Sequence, residues 1–187
     1  MNPFVLLSFL FFFGACTGIK KNSIPKPPEL RVVNYDTALH NTNDSWIYKG
    51  KSFSGYMIEI EKDGHTVYEL PIINGKENGM ARGWYSSGEK LLDRYFIDGK
   101  KEGEFIQWWP NSNFRYVFYY SNDLFDGVQT AFFPNGKKRE ESFYRSGNKE
   151  GKQIVWNEEG TVVSNYTIRN KKMYGVISVK SCLPIIH

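Results

Sequence analysis

The sequence is poor in the side chains that bind metals and perform nucleophilic catalysis. Its 187 residues include two cysteines and three histidines. Two cysteines are too few for a disulfide framework or for a zinc site of four thiolates. The histidines, His40, His65 and His187, are far apart along the chain, and their spacing matches no metal-ligand or catalytic-triad pattern. The sequence therefore predicts no catalytic residue, no metal site and no cofactor, and we expect the protein not to be an enzyme.

The chain also lacks a strong excess of charge of either sign. It has 24 lysines and arginines against 20 aspartates and glutamates, a formal net charge of +4. Its basic runs predict a solvated face, because Lys137–Arg139 is followed directly by Glu140 and Glu141, and Lys171–Lys172 has no interleaved aromatic residues. Glycine-rich stretches such as Gly75–Gly79 lack the strand–loop–helix context of a phosphate-binding loop. We therefore expect no nucleic-acid partner and no small-molecule substrate.

Long apolar runs are absent except at the N-terminus. Phe4–Phe13 is apolar apart from Ser8, and the first 15 residues carry no charged side chain. About ten apolar residues is the length of a signal-peptide core, and it is too short for a helix that spans the ~30 Å apolar core of a bilayer. Small residues then precede a cysteine at Gly14-Ala15-Cys16, and this segment resembles the lipobox of bacterial lipoproteins.

The lipobox resemblance implies an exported and anchored protein. Residues 1–15 would be a signal peptide, Cys16 would be lipidated as the first residue of the mature chain, and the protein would be anchored to a membrane of the bacterial cell envelope. Two alternatives remain open. One is a plain secretory signal, and the other is a buried hydrophobic strand.

After the lipidated cysteine, residues 16–45 predict a tether and a loop. Pro25, Pro27 and Pro28 favour an extended, solvated chain. A structured N-terminal arm is the alternative. The stretch Tyr35–Trp46 has no clean period, so it predicts a loop with a possible short element.

Glycine and aromatic residues are abundant, and both recur at a fixed interval. The chain contains 17 glycines, and aromatic residues make up 17% of it. Six glycines follow one another at a spacing of 24 residues: Gly55, Gly79, Gly103, Gly127, Gly151 and Gly175. Three further columns keep the same spacing: Gly64, Gly88, Ser112, Gly136 and Gly160; Trp84, Trp108, Phe132 and Trp156; and Phe96, Tyr120, Tyr144 and Ile168. Several columns in phase indicate a repeat array.

Each unit of the array predicts a β-hairpin. In the unit that starts at Gly103, Glu104–Trp109 and Phe114–Tyr120 have the composition and length of strands, and Pro110–Asn113 is a turn between them. A glycine or turn cluster about every ten residues disfavours helices. The sequence therefore predicts an all-β fold: an elongated, single-layer antiparallel sheet of tandem β-hairpin repeats of 24 residues over residues 46–187, with degenerate end units.

These repeats resemble the MORN repeat, and more closely its bacterial variant found in antitoxin-type proteins. The resemblance rests on an Asn-Gly-Lys or Asp-Gly-Lys stretch that leads to the next glycine of the series, followed by an aromatic pair. Asn74–Gly79 with Trp84-Tyr85, and Asp98–Gly103 with Trp108-Trp109, are two examples, and the resemblance runs from Gly50 to Gly175. It implies a function in binding, and one such function is that of an antitoxin.

The two members of each aromatic pair lie on opposite faces of the predicted sheet, because side chains alternate along a strand. The unbroken column is Trp84, Trp108, Phe132 and Trp156, and we assign it to the structural face, since packing between repeats requires regularity. The other column, Tyr85, Trp109 and Phe133, ends at Asn157, which suits a more exposed surface. We predict that Tyr85, Trp109 and Phe133 bind the partner. A purely structural role for both columns is the alternative.

The sequence as a whole predicts an exported, membrane-anchored lipoprotein whose MORN-like repeats act as a non-catalytic protein-binding or scaffold module. The alternative is an antitoxin or immunity protein that neutralises a partner toxin by binding it. A toxin gene beside its own would favour that alternative. The second cysteine, Cys182, predicts a small buried residue that closes the array.

Overall fold

The described part of the chain is built from β-strands. The structure is a computed structural model, and it describes residues 25–176. Within this range the chain forms seventeen strands and no helix. The strands are β1 Arg31–Val33, β2 Leu39–Thr42, β3 Ser45–Tyr48, β4 Lys51–Ser52, β5 Gly55–Ile60, β6 Thr66–Ile73, β7 Lys76–Glu77, β8 Gly79–Trp84, β9 Lys90–Ile97, β10 Lys100–Trp108, β11 Phe114–Ser121, β12 Leu124–Phe125, β13 Gly127–Phe132, β14 Lys138–Arg145, β15 Asn148–Trp156, β16 Val162–Arg169 and β17 Lys172–Val176.

One large open sheet contains fourteen of these strands. Their order across the sheet is β1-β5-β6-β8-β9-β10-β11-β13-β14-β15-β16-β17, with β7 beside β6 and β12 beside β11. Neighbouring strands are antiparallel except β1 and β5, which are parallel. The predicted all-β fold of tandem antiparallel hairpins is confirmed.

The hairpins repeat with the interval that the sequence shows. They are β5–β6, β8–β9, β10–β11, β13–β14 and β15–β16, and each first strand starts at or contains a glycine of the 24-residue series. From Gly79 onward the glycines of this series have φ between +65° and +114°. A residue with a Cβ atom is strained in this region. The spacing of the glycines therefore reflects a backbone requirement that each hairpin shares.

A β-bulge recurs at one place in these hairpins. The pairing of β10 with β11 skips Arg115, and the pairing of β13 with β14 skips Arg139, which lies 24 residues later. The same register shift occurs in β5–β6, β8–β9 and β15–β16. A bulge sets two residues opposite one and interrupts the strict alternation of side chains. Arg115 and Arg139 can therefore share a face of the sheet with the residue that follows each of them.

The two faces of the large sheet carry different side chains. Face A includes Met57, Ile72, Ala81, Arg94, Phe105, Phe118 and Ala131, and face B includes Glu69, Arg82, Trp84, Trp108 and Phe132. Cross-strand pairs define face A along the sheet, since Arg94 lies opposite Ala81 on one side and Phe105 on the other, and Phe105 lies opposite Phe118. The best-buried apolar side chains, Ile72 and Ala81, belong to face A, and each is 0% exposed.

A second, small sheet covers the first part of face A. It consists of β2, β3 and β4, and Phe53, which directly follows β4, packs with Ile72 and Ala81 in one buried cluster. Two backbone hydrogen bonds fix it to the turn after β6: the Trp46 N–H donates to the Gly75 carbonyl, and the Gly75 N–H donates to the Phe53 carbonyl, each at 2.7 Å. The sequence predicted loop with a possible short element here. The strands form because their apolar residues pack on hairpins that are distant in sequence. The periodicity of residues 35–46 alone does not reveal this packing.

The residues just before the small sheet also pack on the large one. Pro27 is buried, and with Tyr56 and Pro71 it lines a depression on the sheet. The guanidinium of Arg31 lies 2.7 Å from the carboxylate of Glu69, which is 9% exposed. Within the predicted tether, Pro27 is therefore packed on the large sheet and the strand β1 belongs to it, whereas Lys26 and Glu29 are exposed. The extent of the tether stays a prediction. The remainder of the tether, residues 16–24, lies outside the described residues.

The turn of the hairpin β10–β11 has a serine at a position where the other hairpins have glycine. Ser112 has φ +64°, and the equivalent residue of the next hairpin, Gly136, has φ +82°. Ser112→Gly is expected to raise the free energy of unfolding by roughly 0.5–1 kcal/mol, because the left-handed conformation is costly for a residue with a Cβ atom. The higher entropy of the unfolded chain with glycine offsets part of this gain. The matched change Gly136→Ser should lower it by a similar amount. Urea denaturation of both variants measures this, and a loss of stability in Ser112→Gly would contradict the argument.

Candidate functional site

The two aromatic columns that the sequence singled out are half-buried, and burial does not separate them. The column assigned to structure is Trp84, Trp108, Phe132 and Trp156, and the column assigned to partner binding is Tyr85, Trp109 and Phe133. The first column lies on face B, where the rings of Trp108 and Phe132 both contact Phe114, with centroids 6.2 and 6.1 Å apart. Lys90 covers the Trp108 ring at 4.9 Å.

The second column also holds the array together. The Tyr85 hydroxyl donates a hydrogen bond to the Trp108 carbonyl at 2.8 Å, and Trp109 Nε1–H donates to the Phe132 carbonyl at 3.2 Å. Each bond joins one hairpin to the backbone of the next. The Phe133 N–H donates to the Lys137 carbonyl and closes its own turn. These residues therefore have structural contacts that the sequence did not reveal, and their role in partner binding stays a prediction.

A continuous group of aromatic rings lies elsewhere on face A. We name it the ring surface, and it consists of Phe105, Tyr116, Phe118, Tyr120, Phe125 and Tyr144. Its ring centroids are connected at distances from 4.8 to 6.4 Å. Phe105 is 6% exposed, and the other five rings are half-buried. The surface extends over four consecutive strands of the path, from β10 to β14, with Phe125 in the short β12 beside them.

Cationic side chains surround the ring surface. The Arg94 guanidinium lies 4.6 Å from the centre of the Phe105 ring, and Lys101 Nζ lies 5.5 Å from that of Tyr120. Lys149 Nζ lies 5.8 Å from the centre of the Tyr144 ring. A cation within about 6 Å of a ring face is attracted by the ring quadrupole. The rings therefore hold these positive charges at the surface.

The two bulge arginines complete this arrangement around Tyr116. The guanidinium of Arg115 lies 5.2 Å from the centre of the Tyr116 ring, and that of Arg139 lies 5.7 Å from it. Burial acts to raise the pKa of the Tyr116 hydroxyl, but the two guanidinium groups, through hydrogen bonds and charge, outweigh it and hold that pKa below its ordinary value. Two cations beside a phenol stabilise its anionic form. The field at this point of face A is therefore positive.

A cavity of about 120 Å³ opens in the middle of the ring surface. Its walls include Tyr116, Phe118, Tyr144 and Arg139, and its one acidic wall residue is Glu140. Lys149 Nζ lies 3.5 Å from the Glu140 carboxylate and balances it. The cavity can therefore accept an apolar group beside an anionic one.

One of the three predicted binding residues, Trp109, lies beside the ring surface. Arg115 contacts both Trp109, at 4.4 Å from the ring centre, and Tyr116, so it connects Trp109 to the ring surface. Tyr85 instead lines a separate depression with Tyr68 and Trp84. The structure thus brings Trp109 and the ring surface together and leaves Tyr85 apart.

Sequence reasoning missed most of this site. Tyr120 and Tyr144 were recognised as members of a 24-residue column, without a binding role. Arg115 and Arg139 share the same spacing, and that spacing is the signal that could have identified them. Their side chains reach Tyr116 only because of the bulge, and strict alternation would have placed them on face B.

The histidines of the described part of the chain lie apart from one another. Within residues 25–176 no group of three or more His, Cys, Asp or Glu side chains is arranged to hold a metal ion. His40 is exposed in β2, whereas His65 lies in the turn after β5 with Nδ1 at 2.5 Å from the Asp63 carboxylate. Cys16, Cys182 and His187 lie outside the described residues.

Between residues 25 and 176 the chain contains no helix long and apolar enough to cross a membrane. Comparison with protein-family models finds none that matches this chain, and comparison with curated proteins finds no match.

Proposed function

We propose that this protein is a non-catalytic, MORN-like binding module that captures a protein partner on the ring surface of face A. The observation that carries the proposal is the continuity of that surface: six contacting rings, five of them half-buried, with cations held over them. Clustered aromatic and arginine side chains are the groups that contribute most to protein interfaces.

The layout of the sheet supports binding rather than catalysis. Rings and cations lie along neighbouring strands of the sheet, and the residues that form the ring surface include no histidine. Such a surface offers contact area and positive charge over several hairpins. It offers no paired nucleophile and base.

A photocrosslinking experiment distinguishes face A from face B. Tyr120 and Tyr119 are neighbours in β11 that lie on opposite faces, with Tyr119 39% exposed. We expect Tyr120→p-benzoylphenylalanine to crosslink to one specific protein in cells, because its ring belongs to the ring surface. Tyr119→p-benzoylphenylalanine is the matched control and should not yield the same product. Equal crosslinking from both positions, or from Tyr119 alone, would contradict the assignment of the binding face.

We also propose that the module is held at a membrane of the cell envelope by lipid on Cys16. The support is the apolar segment that ends in Gly14-Ala15-Cys16. Two acyl chains give stable anchoring, whereas one chain binds only marginally. Metabolic labelling with an alkyne fatty acid should mark the wild-type protein and Cys182→Ala, and it should not mark Cys16→Ala. Label retained in Cys16→Ala would refute the anchor.

A further inference from the structure

We infer that the ring surface binds an extended acidic segment of the partner, which presents carboxylates and apolar side chains on one side. This inference rests on the proposed function and specifies the chemistry of the partner. It follows from three features of face A: how the protein covers the first part of it, which of its cations lack a carboxylate, and how few acidic side chains lie near the rings.

The chain itself shows how face A accepts a polypeptide. The small sheet β2–β4 lies on the first two hairpins and buries Phe53 to 2% exposure against Ile72. Residues 25–176 provide no comparable cover over the rings from Tyr116 to Tyr144, which stay half-buried. Face A therefore continues, uncovered by the described part of the chain, beyond the part on which the small sheet packs. An added extended segment would extend the contact that the small sheet makes.

Four of the five cations over the rings lack an acidic partner in the described part of the chain, and the fifth, Lys149, is paired with Glu140. Within residues 25–176, no carboxylate lies within salt-bridge distance of Arg94, Lys101, Arg115 or Arg139, whereas Arg31 and Arg82, which meet on Glu69, are both paired. Arginine stacked on a ring still presents its planar set of N–H donors, which match a carboxylate in geometry. The three arginines are thus positioned to receive carboxylates that this part of the chain does not supply.

The charge of the ring surface selects for an acidic partner. Five cations lie within 5.8 Å of its ring centres: Arg94, Lys101, Arg115, Arg139 and Lys149. Two carboxylates lie close to the rings, Glu140 in the cavity wall and Asp123 near Tyr120. Opposite charge across an interface speeds association and excludes wrong partners. Carboxylates on the side of the segment that faces the sheet would meet the arginines, and apolar side chains on that same side would cover the rings.

The direct test uses a fluorescent peptide of about eight residues with the repeat Glu-Ser-Leu-Ser, in which glutamate and leucine share one side of the extended chain. This length spans several strands at ~3.3 Å per residue. Fluorescence anisotropy with the full chain should show saturable binding. Arg115→Gln combined with Arg139→Gln should weaken it about tenfold or more, because both charges that flank Tyr116 are lost. A peptide in which lysine replaces glutamate should not bind.

A matched pair on the opposite face controls for net charge. Lys152→Gln combined with Arg169→Gln removes two positive charges from strands β15 and β16, on face B. This control should change peptide binding by less than about twofold, since charges beyond a Debye length are screened. Equal weakening by both double variants would mean that only overall charge matters, and it would overturn the inference. Melting temperatures of both variants confirm that they are folded.

Two further results separate this inference from the proposed function. Tighter binding of oligothymidine or of hyaluronan than of the acidic peptide would overturn the acidic segment as the occupant. If Tyr120→p-benzoylphenylalanine crosslinks a protein partner and the change of Arg115 and Arg139 to glutamine leaves that product unchanged, the inference fails and the proposed function stands. If no partner crosslinks from Tyr120 while the acidic peptide binds wild type and not the arginine variant, the proposed function fails and the chemistry of the surface stands.

Discussion

Replacing Ile72 by alanine is expected to lower the free energy of unfolding by about 3–5 kcal/mol, at the upper end of the range for a buried isoleucine. Ile72 is 0% exposed and lies between the two sheets, in one cluster with Phe53, Met57 and Phe96. Neither layer can collapse into the space left by the missing atoms without breaking its strand pairing, so most of the cavity would persist. Urea denaturation followed by far-UV circular dichroism measures the loss.

The repeat provides a control for this change at an equivalent position. Ile168 occupies the same place in its unit as Ile72, and it is half-buried opposite Gly151 and Met173, with no second sheet over it among the described residues. Ile168→Ala is therefore expected to cost only about 1–2 kcal/mol. Equal losses at the two positions would show that the small sheet does not pack on Ile72 in solution.

Gly75→Val is expected to release the small sheet from the large one. Gly75 has φ +80°, and a Cβ atom added there would overlap Ser45 Oγ and lie 3.2 Å from the Trp46 carbonyl oxygen. The two backbone hydrogen bonds of Gly75, to Trp46 and to Phe53, would be broken by the displacement. Strain and lost packing together should lower the free energy of unfolding by about 3 kcal/mol or more. Hydrogen exchange should show the amides of β3 losing protection.

Gly99→Val separates the cost of backbone strain from the cost of lost packing with the small sheet. Gly99 lies in the equivalent turn of the next hairpin with φ +83°, and its nearest neighbour to an added Cβ is Glu77 Oε2 at 3.5 Å, an ordinary contact. This variant should lose about 1–2 kcal/mol from backbone strain and retain protection in β3. If both variants are destabilised equally, steric overlap with the small sheet plays no part in the effect.

The predictions from sequence succeeded where a feature depends on local chemistry. The hairpin turns and the 24-residue interval were readable because positive φ favours glycine, and glycine is visible in the sequence. The role of Trp109 in partner binding stays a prediction, and its hydrogen bond to the Phe132 carbonyl gives it a structural contact. The small sheet was missed because β2–β4 owe their stability to Ile72 and its neighbours, which are distant in sequence.

The sequence by itself determined the repeat unit, its turns and the all-β class, since these follow from backbone conformation and strand propensity within each unit. The tertiary structure alone decided which part of face A is covered and which part is open. That choice depends on where the small sheet packs and on the bulges that turn Arg115 and Arg139 toward Tyr116. Both are consequences of pairing and packing between residues far apart in the chain, and the alternation of side chains treats the two faces as equivalent.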